Sequence, residues 1–99
     1  MSESNGARLA EVREQIDALD QRIVTLIAER ERCVLAAGAL KKDETGVRAP
    51  ARVEAVVEKV RGIAADRGGS PDVVERTYRA LIAAFIDLEL EQHRAGAGS

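Results

Sequence analysis

The chain has 99 residues, 45% of them apolar, 32% charged and 2% aromatic, and 15 basic against 17 acidic side chains leave a net charge of -2. That is room for one domain with a thin aliphatic core, which makes association with a second copy attractive. The interleaved charges hold no basic block for nucleic acid, no stretch nears the roughly 20 apolar residues of a membrane span, and a single cysteine excludes an internal disulfide and fits a reducing cytoplasm.

Residues 1–7 are polar and read as a disordered N-terminal segment. From Arg8 to Lys42 the only residue that disfavours a helix strongly is Gly38. Apolar residues recur at Leu9, Val12, Ile16, Leu19, Ile23, Leu26 and Ile27, then at Val34, Ala37 and Leu40. This spacing of three and four predicts one long helix with coiled-coil-like packing. Arg30 occupies the next slot of that series. The polar stretch Lys42–Ala49 reads as a short connection. Pro50 suits a helix start, and a second helix is predicted over Pro50–Arg67, with Val53, Val56, Val57, Val60, Ile63 and Ala64 on one face. Gly68 and Gly69 end it, Ser70 caps the next helix and Pro71 fits its first turn. The third helix is predicted over Pro71–His93, with Val74, Tyr78, Leu81, Ile82, Phe85, Leu88 and Glu89 on its stripe. Residues 95–99 read as a flexible tail. The chain is therefore all-α, one domain over 8–94 with one long, one short and one medium helix.

Cys33 sits mid-helix among apolar neighbours and reads as a small core or interface residue. The only histidine, His93, lies near an end expected to fray, so no nucleophile pair is apparent. No metal-ligand spacing of the His/Cys type occurs, and no cofactor is implied.

Three polar residues fall on apolar stripes. If the first helix runs unbroken, Lys41 follows Arg30 by eleven residues and returns to within about 20° of the same face, roughly 16 Å along the axis. Both side chains are long enough to meet around one small anion. Arg13 flanks the same stripe about 42 Å before Lys41. It cannot share a site with Lys41 within one chain, so the spacing points to an intertwined oligomer. Arg52 opens the second helix beside Val53, and Glu89 follows Ile82 by seven residues on the inward stripe of the third. Burying unpaired charges costs several kcal/mol each, so such a set calls for mutual pairing or a ligand. Several cations facing one cavity suit a small dicarboxylate, since arginine binds carboxylates with two parallel hydrogen bonds. Plainer roles exist for each residue alone. Arg30 can pair with Glu29, Glu31 or an acid of a partner chain and set register. Lys41 suits a helix C-terminus, Arg13 can be a solvated charge, and Glu89 can belong to an interface ion pair.

The run Val12-Arg13-Glu14-Gln15-Ile16-Asp17-Ala18-Leu19-Asp20-Gln21-Arg22-Ile23 resembles the opening of the all-helical chorismate mutase family. Ala28-Glu29-Arg30 and the later Lys41 continue that resemblance over about Leu9–Gln92. The resemblance implies an intertwined homodimer of three-helix chains in which Arg13 enters the partner's site. It implies that Arg30 and Arg52 bind the substrate carboxylates with Arg13, and that Lys41 donates to the ether oxygen of the bond that breaks. The reaction implied is the Claisen rearrangement of chorismate to prephenate, which moves no proton and forms no covalent intermediate. It requires a pre-organised diaxial conformer and stabilisation of charge growing on the ether oxygen. No metal and no cofactor are needed for it.

The pattern departs from the common family form at several positions. Acids that would contact the C4 hydroxyl are replaced by Ala49 and Val53, a serine position holds Phe85, and the glutamine at the ether oxygen is Glu89. Ala49-Pro50-Ala51-Arg52-Val53 is similar to a subgroup with isochorismate pyruvate lyases and 4-amino-4-deoxychorismate mutases, so all three substrates stand open, with chorismate first. An ionised Glu89 cannot donate to an oxygen that is gaining negative charge, whereas a protonated one can. Activity on an ether-bridged substrate is therefore expected to fall as pH rises. The competing class is a non-catalytic helical dimerisation module that has kept the fold without the chemistry. Survival of four cations favours the enzyme.

Overall fold

The computed structural model describes the backbone of residues 2–98 and the side chains of residues 4–96. Four helices follow in order: α1 Ser2–Ala39, α2 Glu44–Arg48, α3 Pro50–Asp66 and α4 Pro71–Gly98. No strand occurs among the described residues. The all-α class and the three main helices are those the periodicity predicts.

Three differences from the sequence expectation have physical causes. Helical backbone covers residues 2–7 and 95–98, where a disordered segment and a flexible tail are expected; Met1 and Ser99 lie outside the described residues. Neither stretch holds a proline, and an isolated glycine costs a helix only about 1 kcal/mol. The supposed connection after Lys42 contains α2, a helix of 5 residues. Asp43 starts it by accepting the Gly46 N–H on Oδ1 at 2.9 Å, the side-chain capping that satisfies an unpaired first-turn donor. Finally, α1 ends at Ala39, so Lys41 stands beyond the helix rather than on its stripe. The Leu40 and Lys41 amides bond back to the carbonyls of Ala37 and Gly38, each at 3.1 Å. These tightened bonds close the helix. Leu40 is correspondingly 86% exposed.

By contact the chain divides into two compact units, 1–33 and 34–99. The first is a single helix segment. Its predicted stripe is present but bare: Leu9, Val12, Ile16, Leu19 and Ile23 are all between 48% and 50% exposed. Cys33, expected at a core or an interface, is exposed in the single chain.

The second unit holds the buried core, made of Val47, Val57, Ala64, Ile82, Phe85 and Leu90. Here α3 and α4 pack together, and α2 packs on α4. The α3–α4 turn follows the predicted punctuation. Gly68 takes φ 76°, the left-handed conformation that glycine adopts without strain. Its amide bonds to Ala65 O at 3.2 Å and that of Gly69 to Ala64 O at 2.8 Å. This Schellman pairing satisfies the last carbonyls of α3. Ser70 then lies before α4 with its Oγ 3.4 Å from the Val73 amide. At the other end of α3, Ala49 ends α2 and precedes Pro50 with φ 33° and ψ 64°. A non-glycine residue in this region carries roughly 1–2 kcal/mol of strain.

Candidate functional site

The chemistry-bearing contact of the second unit joins the end of α1 to α4. Lys41 Nζ donates to Glu89 Oε2 at 2.9 Å, and the two side chains are 30% and 5% exposed respectively. Glu89 is the acidic residue on the inward stripe of α4, and the helix period places it there one turn after Phe85, which is also buried. A carboxylate so enclosed needs a partner, and the ammonium supplies it. Two further donors remain on a lysine ammonium that gives one hydrogen bond. The pair is thus an anchored cation on a side chain that is partly open to solvent.

Three surrounding features fix this geometry. Gly38 lies where a Cβ would stand 3.0 Å from Glu89 Oε2 and 3.2 Å from Glu89 Cγ. Any side chain there would press on the carboxylate. Gly46 of α2 lies against the stem of Lys41, since a Cβ on it would come 3.4 Å from Lys41 Cβ. His93, one turn after Glu89 on α4, donates through Nε2 to Gly38 O at 2.8 Å. An open groove of about 420 Å³ beside this turn is lined by Ala39, Lys42, Gln92, His93 and Gly96.

The residues singled out in the sequence fall as follows. Lys41 and Glu89 are brought into direct contact. Phe85 is buried on α4, and Val53 is half-buried on α3. Arg52, expected to point inward, is exposed in the single chain. It is the neighbour of Val53, and the step of about 100° between neighbours turns one outward when the other faces the core. Arg13 and Arg30 stand on α1 in the first unit, Arg13 exposed and Arg30 half-buried. Sequence reasoning missed Gly38 and His93. The sequence places His93 near an end expected to fray, but α4 remains helical past it and its ring is half-buried against the end of α1. The available signal was its spacing of four from Glu89, which puts both on one face of α4.

With this geometry in place, comparison with known proteins is informative. Residues 12–90 match the model of a family described as chorismate mutase type II. An isochorismate pyruvate lyase from Pseudomonas aeruginosa is 31% identical over 91 residues, which covers 92% of this chain and 90% of that protein. No helix among the described residues is long and apolar enough to cross a membrane.

Proposed function

The chain belongs to the chorismate mutase type II family, and from that premise we propose that it is a cytoplasmic enzyme catalysing the rearrangement of chorismate, or a close analogue, to the prephenate-type product. The observation that carries this reading is the Lys41–Glu89 pair, a lysine ammonium seated on a buried acid at 2.9 Å, on a side chain that is 30% exposed. In a Claisen rearrangement the ether C–O bond breaks as the new C–C bond forms, and negative charge gathers on the ether oxygen. A donor held ready for that oxygen lowers the barrier more than it stabilises the ground state. Lys41 retains N–H groups for this role while Glu89 holds it in place. Arg30 and Arg52 bind the two carboxylates, and a homodimer supplies Arg13 from the second chain. Val53 and Phe85 complete the wall around the ring. The half-exposed stripe of Leu9, Val12, Ile16, Leu19 and Ile23 supports the dimer, because a helix of this pattern gains its stability by packing.

A second reading is isochorismate pyruvate lyase. It is favoured by the similarity to the Pseudomonas aeruginosa protein and by the run Ala49-Pro50-Ala51-Arg52-Val53. Loss of pyruvate also breaks the C–O bond of the enolpyruvyl ether, so Lys41 serves the same oxygen. Rearrangement of 4-amino-4-deoxychorismate is the variant in which only the C4 substituent differs. A product assay on the purified protein with chorismate, 4-amino-4-deoxychorismate and isochorismate, at about pH 5.5 and 7.5, tests these. Prephenate from chorismate is expected, with a fall of about 10²–10³ in kcat for Lys41→Met. Pyruvate from isochorismate alone would transfer the assignment to the lyase. No turnover, together with no saturable binding of a cyclic dicarboxylate, would leave a non-catalytic helical dimer.

A further inference from the structure

Lys41 is borne on a stretch that belongs to no helix, between the end of α1 at Ala39 and the start of α2 at Glu44. A side chain on such a stretch inherits the freedom of its backbone. A misplacement of about 1 Å can cost a catalytic donor 10²-fold in rate. What holds the backbone of Lys41 is therefore as consequential as what holds its ammonium.

On its N-terminal side the Lys41 amide bonds to Gly38 O at 3.1 Å. The same carbonyl accepts His93 Nε2 at 2.8 Å. A carbonyl oxygen has two lone pairs and only accepts, so Nε2 carries a hydrogen. On the C-terminal side Asp43 is fixed by its cap on Gly46, and buried Val47 seats α2 against α4. From one face of α4, Glu89 therefore grips the head of Lys41 and His93 grips the turn that carries it. The His93 ring nitrogen bonds the turn, whereas the ammonium is bonded by Glu89.

We infer that His93 is a positioning residue, whose Nε2–H, bonded to the Gly38 carbonyl, fixes the turn that aims Lys41 at the reacting oxygen. This rests on the function proposed above for Lys41. The bond requires the Nε2–H form or the imidazolium, and excludes the neutral tautomer protonated only on Nδ1.

Glutamine places an amide N–H near where His93 Nε2 stands, whereas leucine fills similar volume without a donor. In the full-length protein, His93→Leu is expected to lower kcat by about tenfold or more while KM changes by less than about threefold. The split follows because the arginines that bind the carboxylates are untouched. His93→Gln is expected to recover most of the loss. A His93→Leu protein that is helical by circular dichroism and keeps the wild-type kcat overturns the inference. So does a loss that His93→Gln fails to repair. Nitrogen NMR of the wild-type ring supplies a measurement that needs no variant: hydrogen on Nε2 supports the bond, and a ring protonated only on Nδ1 removes it. If the wild-type protein turns over none of the three substrates, the proposed function fails. The turn itself is then read by hydrogen exchange, where faster exchange of the Lys41 amide in His93→Leu supports the clamp and unchanged exchange overturns it.

Discussion

Arg79 of α4 grips Glu54 of α3 with both ends of its guanidinium, Nη1 to Oε2 at 2.8 Å and Nη2 to Oε1 at 2.9 Å. Its Nε also donates to Glu75 Oε2 at 2.8 Å, and Glu75 reaches on to Arg61, which bonds Asp72 as well. One chain of charges thus staples the α3–α4 hairpin.

This staple has a signature in acid. Hydrogen bonds from Arg79 hold the carboxyls of both Glu54 and Glu75 below the ordinary value of 4.5. A carboxyl whose folded value is depressed contributes stability that is complete above its unfolded value and is lost as pH falls through the folded one. The urea midpoint of the wild-type protein should therefore drop as pH is lowered below about 4.5, and Arg79→Met should show a shallower drop over the same window. Equal slopes in the two proteins would assign the acid sensitivity elsewhere. Glu54 is exposed and Glu75 half-buried, so solvent screening keeps the effect modest.

Glu89 provides the second test, now on rate. Its carboxylate accepts from Lys41 and seats the ammonium. Glu89→Gln keeps the shape but removes the charge that pairs with Lys41, so it should lower kcat by about tenfold or more in a protein that is still helical. An unchanged kcat would remove the anchoring role of Glu89.

Gly38 is predicted to admit a side chain only if Glu89 gives way by a few tenths of an ångström. A methyl group there would stand 3.0 Å from the Glu89 carboxylate, which is itself buried and committed to Lys41. Gly38→Ala should cost about 1–3 kcal/mol in urea unfolding despite the better helix propensity of alanine. It should also lower kcat by displacing the acid from the ammonium. A neutral or stabilised Gly38→Ala protein would mean that Glu89 can shift without consequence.

The bare stripe of α1 carries the fourth prediction. Leu19, 49% exposed at the centre of that stripe, becomes charged and hydrated in Leu19→Glu. Sedimentation should show a dimer for the wild-type protein and a monomer for this variant, with activity lost at the same time because Arg13 no longer reaches a partner's site. A dimer in both would place the interface on another surface.

Much of this architecture was legible in the chain. The spacing of Leu9 through Ile27 marks α1, and Pro50, Gly68, Gly69 and Pro71 punctuate α3 and α4 because each acts on the backbone locally. Two kinds of feature leave no local pattern in the sequence. One was short: α2 is a single polar turn with one buried residue, Val47, and leaves no periodicity to read. The other was distant. His93 meets Gly38 across 55 residues, and no local pattern announces such a contact. The Lys41–Glu89 pair was anticipated as two members of one site, but through the assumption that Lys41 shares a helix face with Arg30. The end of α1 at Ala39 replaces that assumption with a turn held from α4.

Ala49 sits at the junction of α2 and α3 in a left-handed conformation, φ 33°, at the position where the resemblance places an acid toward the C4 substituent. Asparagine and aspartate enter this region more readily than alanine, because their short polar side chains bond locally. The backbone here already has a shape that an aspartate tolerates better than alanine does. Restoring a negative group would relax the junction rather than deform it. An acid at this corner would therefore meet a backbone that needs no rebuilding to receive it.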